Sequence, residues 1–243
     1  MNVVELVSVW FAQSTTWSGP DSVPTRVAEH LLYSALAMLI AAAIALPLGT
    51  HLGHLNRGQT VVLSIANTIR ALPTLGLLTL VVILTGIGFL PPLIALVVLA
   101  IPPMLVNAFE GVRNVDPTVV DAARGVGLRG PATLLTVEIP VALPIILLGV
   151  RLAAIQVISA ATIAAYVGLG GLGRFIFDGL GRRDFGQVAG GSIIAAVLAI
   201  ATEIFFVVLA SVLTSPGVSR KSRTPLPRPF NPSVLPVRKK STA

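Results

Sequence analysis

A helix needs roughly 20 apolar residues to cross the hydrocarbon core of a bilayer. Five stretches of this chain qualify: 30–49, 59–84, 91–109, 140–167 and 188–213. In lipid the backbone must satisfy its own polar groups, so stretches of this kind are read as helices. Charged residues make up 11% of the chain, against about 25% for a soluble domain. The reading is an all-α integral membrane protein with about five transmembrane helices. The count rises to six if Pro73, which should kink or break a helix, divides the second span.

Composition removes several function classes. Cysteine is absent, which excludes disulfides, thiolate metal sites and cysteine nucleophiles. Lysine occurs only as Lys221, Lys239 and Lys240, near the C-terminus. No Gly-Lys-Ser/Thr phosphate loop can be built from them. If ATP drives this protein, another chain hydrolyses it. The net charge is +7, but the basic residues form no stripe with interleaved aromatics, so nucleic acid is not an expected partner. His51 and His54 are three apart, yet no acidic or thiol group nearby in sequence completes a metal site. They read as a pair at the inner headgroups, and no metal is expected. Serine, histidine and aspartate form no nucleophilic arrangement.

Charge asymmetry sets orientation. With the loop around Asp121 placed inside, the inner side holds Arg57, Arg113, Arg124, Arg129 and seven basic residues of the C-terminal stretch. The outer side holds Arg26, Arg174, Arg182 and Arg183. This predicts the N-terminus outside and the C-terminus in the cytoplasm. Residues 1–24 form an external segment whose Leu6, Val7, Trp10 and Phe11 share a helical face, with Trp10 and Trp17 expected at headgroup depth. Residues 25–214 form the transmembrane domain. Residues 215–243 hold six prolines and no acidic residue, the composition of a disordered basic cytoplasmic tail.

Between the third and fourth spans lies a polar island, Asp121, Ala122, Ala123, Arg124, Gly125, Val126, Gly127 and Leu128. Asp116 is placed to cap a helix starting at Pro117. Gly125 and Gly127 should allow a sharp turn. A second short helix should start at Gly130 and Pro131 and end at Pro140. Asp121, Ala122 and Ala123, then Gly127, then Val137, Ile139 and Pro140 follow the spacing of the loop by which permease subunits of ATP-binding-cassette importers engage their ATPase. The sequence is identified as resembling that family. Three further groups point to its osmoprotectant branch: Arg70 to Gly76 with Pro73, Val115 to Pro117, and 168–173 with Gly170 and Gly171.

The resemblance implies the type I ABC importer transmembrane fold with a cytoplasmic coupling-helix loop, in a bacterial plasma membrane. It implies a permease subunit for glycine betaine, choline, carnitine or proline betaine. Two cytoplasmic ATPase subunits would bind ATP and magnesium, so this chain needs no cofactor and is not an enzyme. A second permease, identical or homologous, and an extracytoplasmic substrate-binding protein would complete the machine. Residues 215–243 are too few for a fused binding domain. The coupling residues would be Asp121, Ala122, Ala123, Arg124, Gly127 and Leu128. Arg70, Pro73, Tyr166, Gly170 and Gly171 are pathway or gate candidates.

Gly168, Gly170 and Gly173 also fit a dinucleotide fingerprint, but that motif follows a strand and this one follows an apolar helix. Arg70, Arg151 and Glu203 are intramembrane charges, each either a structural pair or a pathway group. Other functions are an importer of amino acids or other small solutes, an ion-coupled secondary transporter using Glu203, or a non-transporting scaffold. The basic tail is read as a topology determinant, with contact to anionic lipid headgroups as the alternative. Deleting residues 219–243 is therefore expected to leave the salt dependence of solute uptake unchanged.

Overall fold

The computed structural model describes residues 2–214, and the tail reading falls outside them. Among the described residues, four helices are long and apolar enough to cross a membrane. They are α3 (Val23–His54), α6 (Leu90–Arg113), the continuous run Gly130–Val167, and α11 (Phe185–Leu213). The second expected span is broken at Pro73 into α4 (Gln59–Ala71) and α5 (Thr74–Thr85), which meet at 90°. At about 1.5 Å per residue these halves reach roughly 20 and 18 Å, too short to span alone. Counted as one broken span, the pair makes five. Short helices complete the order: α1 (Val3–Ala12), α2 (Ser14–Trp17), α7 (Pro117–Gly125), α8 (Gly130–Thr133) and α10 (Gly173–Arg182).

Helix α6 is the hub. Its apolar window is 72% buried, whereas that of α11 is 0% buried. Lipid tails are as apolar as leucine, so helices associate there by close packing of small residues. Along α3 these recur every fourth position: Ala37, Ala41, Ala45, Gly49 and Gly53, all buried. A Cβ on Gly49 would lie 2.7 Å from the Leu105 carbonyl oxygen, and one on Gly53 would lie 2.6 Å from that of Phe109. Gly149 likewise sits against Pro103 of α6, at 2.7 Å from its carbonyl oxygen by the same measure. Pro47, Pro102, Pro103 and Pro144 lie inside these helices, as membrane helices tolerate when neighbours re-satisfy the freed groups.

Two expectations change. The second loop helix does not end at Pro140. Helix α8 runs through a π-helical stretch at 134–138 into α9 (Ile139–Ala164). The Ile139 N–H bonds back five residues to the Leu134 carbonyl. That widened turn relieves the clash that a proline ring makes with the carbonyl four residues before it. Trp10 is not a free headgroup anchor. It is 6% exposed, packed over Gly190 of α11 and edge-on to Phe175 at 5.4 Å. The Leu6, Val7, Trp10 and Phe11 face does form, but it turns toward protein, while Trp17 stays half exposed and donates to the Phe11 carbonyl.

Gly53→Val pushes a side chain into backbone on α6. It is expected to cost roughly 1–3 kcal/mol, read as a lower melting temperature in detergent.

Candidate functional site

The loop between α6 and α9 is a folded unit. Asp116 caps α7: its Oδ1 accepts from the Thr118 N–H at 2.9 Å and the Thr118 hydroxyl at 2.8 Å. These bonds, the hydroxyl's first, hold the Asp116 carboxyl below the usual carboxylate range. The cap therefore persists down through ordinary carboxylate pH and is lost only on stronger acidification. At the other end, Leu128 N–H bonds to the Ala123 carbonyl at 3.1 Å and Gly127 N–H to that of Arg124 at 2.9 Å. This paired closure needs a left-handed residue after the helix. Gly127 supplies it at φ +90°. Gly125, expected to help the turn, is instead the last residue of α7.

The six coupling candidates divide by face. Ala123 is 7% exposed and packs inward with half-buried Val120, which lies on the cluster of Ala108, Val112, Val115, Ala142 and Ile146. Asp121, Ala122, Arg124 and Gly127 are exposed and Leu128 is half-buried. Asp121 and Arg124 approach to 4.0 Å, a loose pair open to solvent. Val126, which the sequence reading did not single out, is 82% exposed. It stands with them on the loop's exposed surface. Ala123 belongs to the loop's foundation and not to that surface.

The loop is also tied to α3. His54 Nδ1 lies 2.7 Å from Glu138 Oε2, and both side chains are largely buried. The His51 and His54 pair was expected at the headgroups. The structure gives His54 a carboxylate partner 84 residues away, a distance at which no local signal exists.

At the opposite end of α3 is a second polar cluster. Helix α9 ends in a turn at 165–167, followed by Gly168 at φ +102° and Gly171 at φ +83°. Gly171 N–H donates to Glu29 Oε2 at 2.9 Å, and Leu172 N–H to His30 Nδ1 at 3.3 Å. With Nδ1 accepting, the other ring nitrogen carries the proton and donates to the Ile158 carbonyl at 3.0 Å. Arg26 bonds Glu29 at 2.7 Å and also pairs with Asp21. A Cβ on Gly170 would meet the Glu29 carboxylate at 2.5 Å. The sequence pointed to Gly170 and Gly171 but missed Glu29 and His30, the groups that hold them. Tyr166 is 64% exposed, its ring 5.2 Å from that of Phe177.

Arg70 and Pro73 stand elsewhere. Arg70 is exposed in the last turn of α4, where a cation suits the helix dipole. Pro73 heads α5 at the break. Helix α5 separates them from the 168–173 loop, which Ile87 touches from beyond its far end. The five gate candidates therefore form two groups. Arg151 of α9 and Glu203 of α11 pair with each other, Nε to Oε2 at 2.8 Å with the second guanidinium nitrogen on Oε1.

These features define a multi-span helical membrane protein with a folded, capped loop at one end and a latched glycine loop at the other. Residues 27–220 match the family described as binding-protein-dependent transport system inner membrane component, and the chain belongs to that family. It is a permease subunit of an ABC importer. It is 37% identical over 175 residues to the carnitine transport permease OpuCB of Listeria monocytogenes, covering 72% of this chain and 80% of that one. It is 33% identical over 192 residues to the choline transport system permease OpuBB of Bacillus subtilis (strain 168), covering 79% and 88%. Among solved structures, an inward-facing MetNI methionine ABC transporter matches with a TM-score of 0.68 at 20% identity, covering 79% of this chain and 96% of that one. That match speaks to the fold alone.

Removing one member of a desolvated ion pair strands the other, whereas replacing both with apolar groups is far milder. Glu203→Met is expected to lower the melting temperature more than the double replacement Arg151→Met with Glu203→Met, measured in one detergent.

Proposed function

We propose that this chain moves a quaternary-ammonium compatible solute, such as glycine betaine, choline, carnitine or proline betaine, inward by alternating access. The observation that carries the solute class is the run of relatives whose names specify carnitine, choline and glycine betaine transport. The N-terminus lies outside and the C-terminus in the cytoplasm. This puts Arg57, Arg113, Arg124 and Arg129 on the inner side, at the His54 end of α3, and Arg26 at its outer end. Two cytoplasmic ATPase subunits bind ATP and magnesium. Each docks on a loop of one permease, and the second permease is identical or homologous. A separate extracytoplasmic protein delivers the solute.

Asp121, Ala122, Arg124, Gly127 and Leu128 meet the ATPase, with Val126 at the tip, and Ala123 seats the loop beneath them. Arg70, Pro73, Tyr166, Gly170 and Gly171 serve the pathway and its outer gate. The ion-coupled alternative is disfavoured because residues 27–220 match a family of binding-protein-dependent transport systems.

The test is ATP-dependent uptake of labelled glycine betaine into proteoliposomes holding this chain, its ATPase and partner permease, with binding protein outside. Choline and carnitine serve as competitors. Uptake that stops without ATP supports the reading; ATP hydrolysis without uptake of any of these solutes moves the substrate class. Ala122→Trp adds bulk on the exposed face of α7 without the backbone strain that any side chain at Gly127 would bring. It is expected to cut uptake at least tenfold while the protein still inserts. Normal uptake by that variant would show that this face does not dock the ATPase.

A further inference from the structure

Helix α9 carries the loop into the membrane, but it is a poor lever by itself. It is preceded by the π-helical stretch at 134–138 and carries Pro140 and Pro144 in its first turns. Wide turns and prolines interrupt the regular ladder and are where helices bend. A displacement of α7 and α8 would be absorbed there unless a second element carried it.

Helix α3 is bonded across that weak point. His54 Nδ1 meets Glu138, the last residue of the π stretch, at 2.7 Å. The other ring nitrogen of His54 faces Gly130, where a Cβ would lie 3.4 Å away. One imidazole therefore bonds one end of the 130–138 segment and lies beside the other. Glu138 is 4% exposed, so losing its partner would strand a buried polar group. On its other side this end of α3 is seated on α6 through Gly49 and Gly53. Its far end, about 36 Å along the axis at His30, holds the backbone of Leu172 and Ile158, and Glu29 holds Gly171.

We propose that His54 and Glu138 are positioning residues that make the loop and α3 move as one body. Motion of the loop then reaches the 168–173 loop through α3 and does not depend on the bendable start of α9. The proposal rests on the reading of the 116–138 loop as the ATPase-docking element.

The experiment compares wild type, His54→Ala, Glu138→Ala, the double variant and His54→Gln in proteoliposomes with the ATPase, partner permease and binding protein. It reads glycine betaine uptake, ATP hydrolysis and capture of the ATPase by the tagged permease. Each alanine variant is expected to lose uptake at least tenfold while ATPase capture and hydrolysis stay within twofold. The double variant should fall within threefold of either single one, because the two residues act as a unit. Glutamine at position 54 can still donate to Glu138 and should recover uptake to within threefold of wild type. Three results overturn the proposal: alanine variants with uptake near wild type, losses that multiply in the double variant, or loss of ATPase capture in step with uptake. The last would make the pair a folding contact of the loop. If an alanine variant does not insert, failure of the well-inserted His54→Gln protein to support uptake likewise overturns it. Wild-type protein that neither captures the ATPase nor transports would instead remove the docking reading beneath it.

Discussion

The whole assembly depends on how closely α3 can approach α6. In lipid there is no hydrophobic reward for bringing two apolar helices together, so the gain must come from dispersion at short range. Ala37, Ala41, Ala45, Gly49 and Gly53 form a line of minimal side chains that lets the backbones meet. Larger groups on α6, including Leu105 and Phe109, fill the space beside them. Once these helices are locked, α9 fits against the remaining side of α6 through Gly149 and Gly111. The three make a stiff centre. Helices α4, α5 and α11 are peripheral, with broad apolar faces exposed.

That arrangement places two polar clusters at the two ends of one rod. The N-terminal end of α3 holds the 168–173 loop by Glu29 and His30, and its C-terminal end holds the 130–138 segment by His54. The polar groups doing this are among the few within the spans, and each has a partner. Buried polar groups in such surroundings are costly unless satisfied, so their bonding fixes the relative position of the elements they join. The Arg151 and Glu203 pair does the same for α11, whose glycine-lined N-terminal end is also held by Trp10 and Phe175.

The loop at 116–128 shows how a short sequence pattern becomes a shape. Asp116 fixes where α7 begins and Gly127 fixes where it ends. Between them the helix is only long enough to bury Val120 and Ala123 on one side and expose Asp121, Ala122 and Arg124 on the other. Spacing alone could not separate the residues that seat the loop from those that face a partner. That division depends on the hydrophobic cluster beneath, built from α6 and α9.

The sequence by itself determined the apolar spans, the break at Pro73, the helix cap at Asp116 and the class of protein. These are local properties: run length, a missing N–H, a short acceptor side chain, and a motif whose residues are neighbours in the chain. Tertiary structure decided the rest. That Glu138 answers His54, that Glu29 and His30 grip Gly171 and Leu172, and that Glu203 neutralises Arg151 are contacts across 52 to 142 residues. It also decided that Trp10 is buried and that α8 runs unbroken into α9. No periodicity records such pairings, because they arise only when the small-residue faces of α3, α6 and α9 set the distance and rotation between helices.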